Sequence, residues 1–415
     1  MRVSSTIKNA VTTAAVVLLG SSAAAPNSYA GYSRAMATSI MDRSQGIMTG
    51  SGDSSELLQA GITQHALTAW AAQYPSDPVA ARAREYVCNS AASTIPFVSN
   101  ETYDALSYPL DRLSNGRTLI TESVGSDANA YYFRSGADDL RRSVDLNRRN
   151  AEGGLWYFTY PNWSYLDGMY SFGPFYTKYT LATGASALNG SIDAAGVLGD
   201  MYHQFELLWS HTRDGATGLL RHGYDESRTA VWADPTTGAS PHVWGRSLGW
   251  YVVALVETLE ILPRDAYPRE WNGLREKYHH LAKAIVDAED PKSHAWWQVL
   301  DQPGREGNYI ETSGSAMFAY GLLKGARLGL FGSDKKLSAD ATIAGVAAHD
   351  YLVEAALVHE TNGTLGYNGT VAVCSLNSDA SYEYYIGQPL KYNSVLGSAS
   401  FVLAALEYER ITKKH

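Results

Sequence analysis

The stretch Tyr160-Pro161-Asn162-Trp163-Ser164-Tyr165-Leu166-Asp167-Gly168-Met169-Tyr170-Ser171-Phe172-Gly173-Pro174-Phe175-Tyr176-Thr177-Lys178-Tyr179 holds the pattern that organises this chain. Residues 152–167 read as a loop, and from 168 to 182 the apolar residues fall at helical spacing. Asp167 stands at the junction, one carboxylate among eight aromatic residues. A charge in such company is costly unless paired or neutralised. That setting suits a carboxyl tuned for general acid work near neutral pH. Aromatic faces beside it also suit a sugar ring. The other reading is an aspartate capping a helix N-terminus. On the residues alone both stand.

The same loop-then-helix alternation extends outward. Helical periodicity predicts helices over roughly 33–48, 54–73, 78–98, 127–148, 168–182, 192–212, 247–262, 269–288, 313–330, 337–357 and 394–411. Between them lie loops rich in Gly, Pro, Asp and aromatics, at 109–121, 152–167, 213–246, 291–312 and 359–393. Residues Thr364–Leu376 alternate like a short hairpin. No low-complexity linker divides the chain and no fixed-period repeat is visible, so it reads as one all-α domain over 31–415. Long loops between helix pairs suit a closed helical barrel with its loops gathered at one mouth. About twelve helices make six in–out pairs.

The chain has 415 residues, 45% of them hydrophobic and 18% charged, with 28 Tyr and 10 Trp. That composition supports a large core and excludes disorder. So many amphipathic rings hint at a lined cleft. Arg2 and Lys8, the apolar run Ala10–Leu19 and the small residues Ser21–Ala25 read as a secretory signal over residues 1–25. The expected location is therefore extracellular. No run is long enough to span a membrane. Five N-glycosylation sequons, at Asn100, Asn162, Asn189, Asn362 and Asn368, agree with export. Asn162 lies so close to Asp167 that a glycan there would crowd the site. Cys88 and Cys374 either form one bridge or remain two buried thiols. No paired Cys or His spacing suggests a metal. The net charge of −9, with no basic run before the Lys413-Lys414-His415 tail, argues against nucleic acid.

Three further places carry candidate chemistry. Asp111, in Tyr108–Arg117, is a second carboxylate in a loop; two carboxylates in one pocket push their pKa values apart. Its alternative role is an ion pair with Arg112 or Arg117. The segment His242–Trp250 concentrates Trp244, Arg246 and Trp250. A guanidinium fork matches a carboxylate, and tryptophans stack on a pyranose; a structural salt bridge with core tryptophans is the alternative. His222 is a further candidate for a sugar hydroxyl. No nucleophile elbow, phosphate-binding loop or zinc-protease helix is present.

Taken in order, several pieces resemble glycoside hydrolase family 105, the unsaturated rhamnogalacturonyl hydrolases. They are Leu110-Asp111-x-Leu113-x-x-Gly116-Arg117, Gly153-Gly154-Leu155-Trp156, Tyr160-Pro161-Asn162, Leu166-Asp167-Gly168-Met169-Tyr170, Asp225-Glu226-Ser227, Trp232-Ala233-Asp234-Pro235, Trp244-x-Arg246-x-x-Gly249-Trp250, Glu311–Met317 and Tyr382–Tyr385. The resemblance implies an (α/α)6 barrel acting on an acidic oligosaccharide that ends in a 4,5-unsaturated uronic acid. It implies Asp167 as general acid/base, protonating C4 while water adds at C5, and Asp111 as the companion carboxylate. Arg246, Trp244, Trp250 and His222 would form the sugar-binding wall. Tyr157 takes the place of a family histidine, and Trp163-Ser164-Tyr165 takes the place of Gln-Met-Trp, so the leaving-group side is this chain's own. No cofactor or metal is implied, and a monomer is expected. Pectic rhamnogalacturonan is the default parent polymer and other glucuronate-bearing polymers are the alternative. An ordinary inverting glycosidase and a catalytically inert sugar-binding protein are the rival readings.

Overall fold

The alternation of loop and helix closes into a double ring. A computed structural model describes residues 31–99, 108–184 and 193–412; the signal segment, Asn100, Asn189 and the basic tail lie outside them. The helices are α1 (Tyr32–Asp42), α2 (Glu56–Gln73), α3 (Pro78–Val98), α4 (Gly116–Glu122), α5 (Ala128–Leu146), α6 (Asp167–Thr183), α7 (Ala194–Thr212), α8 (Gly245–Ile261), α9 (Pro268–Asp287), α10 (Thr312–Arg327), α11 (Lys335–Ala355), α12 (Tyr382–Gly387) and α13 (Val395–Thr412). A 3-10 turn, Leu110–Asn115, leads into α4.

The inner ring runs α2, the 3-10 turn with α4, α6, α8, α10 and α13, and α13 packs back on α2. Outside it, α1, α3, α5, α7, α9 and α11 each lie against an inner helix, and the chain ends supply the sixth pair, α1 on α13. The architecture is an (α/α)6 barrel. Sequence character sorts the helices between the rings. Nearly every residue of α8, α10 and α13 is buried, as an apolar-all-round helix must be. In α9 only one stripe is buried, including Leu274, Tyr278, Leu281 and Ile285 at three- and four-residue spacing. Small residues let inner helices approach: a Cβ on Gly249 of α8 would stand 2.9 Å from the Cβ of Met317 on α10.

Three local expectations are corrected. Residues 109–121 are the 3-10 turn and α4 rather than a loop. Burial between α2 and α6 overrides the weak propensity of so short a segment, and Ser114 and Asn115 tie it to the Leu57 carbonyl at 3.2 and 3.0 Å. The segment 359–393, also read as loop, contains α12. The hairpin forms earlier than expected, between β3 (Leu357–His359) and β4 (Leu365–Tyr367). Its turn sits at Asn362-Gly363, where Gly363 has φ 85°. Beyond Tyr367 the chain is captured instead by Arg246, which takes the carbonyls of Val371 and Ala372.

A two-stranded ribbon positions the site. β1 (Trp163–Tyr165) pairs antiparallel with β2 (Gly223–Asp225), in register Ser164 opposite Tyr224. It continues into a 3.0 Å bond from the Leu166 amide to the His222 carbonyl, which sets His222 beside the start of α6. The inner helices begin at the mouth where these loops gather.

Candidate active site

A pocket of about 430 Å³ opens at that mouth. Its wall includes Asp111 from the 3-10 turn, Asp167 from the first turn of α6, Trp244, Arg246 and Trp250 from the start of α8, and Tyr157 from the loop before β1. Four separate chain segments thus converge at one place, and six of the seven expected site residues line it.

Asp167 does not cap its own helix. The N-cap position is Leu166, and no side chain caps the end. The Asp167 carboxyl instead accepts a short hydrogen bond from the Ser247 hydroxyl through Oδ2. His222 Nε2 lies 3.3 Å from the same oxygen. The residue is 7% exposed and lines the pocket.

Asp111 is 4% exposed and has a different environment. Tyr157 Oη donates to its Oδ2 at 2.6 Å, while Oδ1 has no protein partner among the described residues. Burial pushes the Asp111 carboxyl up to about 7; the Tyr157 hydrogen bond opposes this, the Asp167 charge adds to it, and Arg112 opposes it. The alternative ion pair forms with neither arginine. Arg112 is buried and donates to Ser143, Asn147 and the carbonyls of Tyr108 and Pro109. Arg117 bonds Glu257 at 2.7 Å near the opposite end of the barrel.

Arg246 lies with its guanidinium carbon 4.9 Å from the Trp244 ring centroid. Nη1 and Nη2 each reach a backbone carbonyl, of Val371 and Ala372, at 2.6 Å. Five donors are available on a guanidinium, so donors remain for an anion. Trp244 and Trp250 are only 2% and 1% exposed. Gln298 accepts from Trp244 Nε1 at 3.0 Å, and Trp250 packs on Tyr170 with centroids 4.5 Å apart. Both tryptophans are wall with their faces largely covered, not the open stacking platforms expected. The pocket rings with more open surface are Phe97, Tyr108, Tyr157, Phe158 and Tyr160, all half-buried. Tyr157 lies parallel to Tyr165, 4.3 Å away and 8° off.

His222, expected in the sugar-binding wall, does not line the pocket. It is wholly buried and sits behind Asp167, off the pocket wall. Its Nδ1 meets the Tyr385 hydroxyl at 2.8 Å. The ribbon that carries His222 beside Asp167 also carries it beneath the surface. Cys88 and Cys374 are free thiols, and Cys374 lies in the pocket wall. Among the described residues no group of three metal-ligating side chains occurs.

A family model described as Glycosyl Hydrolase Family 88 matches residues 32–412. A solved glycoside hydrolase from family 105 of C. acetobutylicum ATCC 824 is 31% identical, with a TM-score of 0.78, covering 91% of this chain and 99% of that one. This chain is a glycoside hydrolase of the family 88 and 105 group. The unsaturated glucuronyl hydrolase of Bacillus sp. GL1 shares the fold, at 14% identity and a TM-score of 0.64 over 92% of this chain and 96% of that one. Protein Atu3128 of Agrobacterium fabrum is 38% identical over 241 residues, 56% of this chain and 96% of its own length.

In this glycoside hydrolase, sequence reasoning passed over Ser247, Tyr385 and Gln298, which hold Asp167, His222 and Trp244 in place. Ser247 lies inside the Trp244–Trp250 segment and Tyr385 ends the Tyr382–Tyr385 segment, so both signals were at hand. No sequence signal pointed to Gln298.

Proposed function

We propose that this glycoside hydrolase removes a 4,5-unsaturated uronic acid from the non-reducing end of lyase-generated acidic oligosaccharides. The observation that carries the reading is the joint placement of Asp111, Asp167 and Arg246 in one pocket, with the two carboxyls in unlike hydrogen-bond settings. Likeness to the family 105 enzyme supports it.

In this reading Asp167 gives a proton to C4 of the enol ether. Water adds at C5 and returns a proton to the same carboxylate, so the net change is addition of one water. The hemiketal formed at C5 opens and releases the remaining sugar. Asp111, which retains its proton up to about pH 7, lines the pocket as the companion carboxyl that orients substrate hydroxyls. Arg246 takes the uronate carboxylate through its remaining donors. Half-buried Tyr157, Phe158 and Tyr160 flank the leaving-group sugar. Unsaturated rhamnogalacturonan fragments are the default substrate. Elimination erases the C4 stereocentre, so fragments of other glucuronate-bearing polymers present the same terminal ring. The leader pattern over residues 1–25 supports an extracellular site of action for a monomeric enzyme.

The raised Asp111 carboxyl favours a second assignment, in which Asp111 is the proton donor and Asp167 the orienting carboxylate. Loss of the enol ether's ultraviolet absorbance, followed on lyase products of several acidic polymers, tests the reaction. If no such substrate loses its double bond while saturated uronides are cleaved, the enzyme is an ordinary glycosidase. Tight binding without turnover across the panel would make it a binding protein. Solvent-deuterium incorporation at C4 in Asp111→Asn against Asp167→Asn separates the two assignments.

A further inference from the structure

We propose that Tyr385 is a positioning residue for Asp167, acting through His222. It sets the imidazole tautomer that aims Nε2–H at Asp167 Oδ2, and so directs the transferable proton to Oδ1. This rests on Asp167 as the acid in the reading above.

Tyr385 is wholly buried on α12, and its hydroxyl meets His222 Nδ1 at 2.8 Å. Among the described residues that hydroxyl has no other partner. A buried O–H must donate, and the acceptor in reach is Nδ1. Burial holds the Tyr385 phenol well above the ordinary tyrosine range, so the hydroxyl keeps its proton under any working condition. A neutral imidazole that accepts at Nδ1 carries its proton on Nε2. That nitrogen is buried, approaches Asp167 Oδ2 to 3.3 Å, and makes no hydrogen bond among the described residues, so a small rotation would bring its N–H onto that oxygen.

The imidazole is held on two sides. Tyr165 meets it edge-on at 5.2 Å and Trp244 lies tilted against it at 4.9 Å. Ser247 donates to Oδ2 as well. With the Ser247 hydroxyl on Oδ2 and Nε2–H beside the same oxygen, Oδ2 is the accepting oxygen of the carboxyl. The proton then falls to Oδ1, which has no hydrogen-bond partner among the described residues, on a residue that lines the pocket. The titratable groups around this line are Asp167 from α6 with Asp111 and Tyr157 facing it, Tyr165 from β1, His242 edge-on to Tyr385, and Cys374 and Tyr384 beside Tyr385.

The test uses the whole protein. In 15N-labelled enzyme, His222 is expected as the Nε2–H tautomer, and Tyr385→Phe is expected to mix the tautomers. Tyr385→Phe should lower kcat by roughly 10-fold or more with little change in KM, and should shift the pH dependence of kcat. His222→Gln, whose amide N–H can still reach Oδ2, should retain more activity than His222→Ala. An Nδ1–H tautomer in the unmodified enzyme overturns the proposal, as does a Tyr385→Phe enzyme with unchanged kcat and pH profile. If Tyr385→Phe does not fold, the wild-type tautomer and the His222 pair decide. If no unsaturated uronide is turned over, the functional reading fails, while the tautomer still tests the geometry.

Discussion

Tyr157 and Asp111 are joined by a 2.6 Å hydrogen bond in which the phenol donates to Oδ2. The same loop is tied to the 3-10 turn by a 2.8 Å bond from the Leu110 amide to the Tyr157 carbonyl. Main chain and side chain therefore fix one relationship twice. Because this donor favours the charged form of Asp111, it moderates the rise that burial imposes.

Removing that donor should move the Asp111 titration further upward from about 7. Tyr157→Phe is expected to shift the corresponding limb of the kcat/KM pH profile to higher pH. An unmoved profile would show that Asp111 does not govern that limb.

Asp111 also links stability to pH. Its folded-state value of about 7 lies above the ordinary 3.8, so the folded chain binds this proton more tightly than the unfolded chain. Its contribution to stability is full below about pH 4 and is lost as pH rises toward 7, by on the order of 4 kcal/mol at most. Asp111→Asn, which cannot ionise, should unfold at a higher temperature than the parent at pH 8 while losing activity. Calorimetry at pH 5 and pH 8 checks this; an equal difference at both pH values would contradict it.

Asp167→Asn should lower kcat on an unsaturated uronide by at least ~100-fold, the usual contribution of a general acid. The absorbance assay reads the rate, and a retained unfolding temperature shows that the loss is chemical. A full rate in this variant would remove Asp167 from the chemistry.

Glu257 governs the opposite end of the barrel. It accepts from Arg117 at 2.7 Å and lies 3.2 Å from His65, and it also bonds Lys324 and Tyr320. Burial pushes its carboxyl up, but Lys324, His65 and Arg117 outweigh burial and hold it well below 4.5. A depressed carboxyl adds stability above the unfolded value, and that share is lost as pH falls through the folded one. Glu257→Gln should cost about 3–5 kcal/mol in denaturant unfolding near neutral pH, since it strands buried cations. The catalytic rate per folded molecule should be retained.

Gly223 stands opposite Tyr165 in the ribbon. A Cβ there would lie 2.4 Å from the Ser164 carbonyl oxygen, which is backbone and cannot swing aside. Gly223→Ala should destabilise the fold by about 1–3 kcal/mol and reduce kcat by displacing His222 and Asp167 together. Thermal unfolding and the absorbance assay read both effects; a neutral variant would show that the ribbon does not position the site.

Much of this enzyme was legible along the chain. Helical periodicity located all the long helices, because apolar spacing reports which faces are buried. Apolar-all-round α8, α10 and α13 against striped α9 carry the inner and outer rings in their composition. Asp111, Asp167 and the Trp244–Trp250 segment stood out because charged and aromatic residues concentrate where chemistry occurs. Folding added what spacing cannot encode. It placed Asp111 and Asp167 in one pocket, turned Arg112 and Arg117 away from Asp111, and sank His222 behind Asp167. It also made supports of Ser247 and Tyr385, which look ordinary in a sequence. Burial and hydrogen-bond partnership arise between segments far apart in the chain, so the tuning of each carboxyl exists only once the barrel has closed.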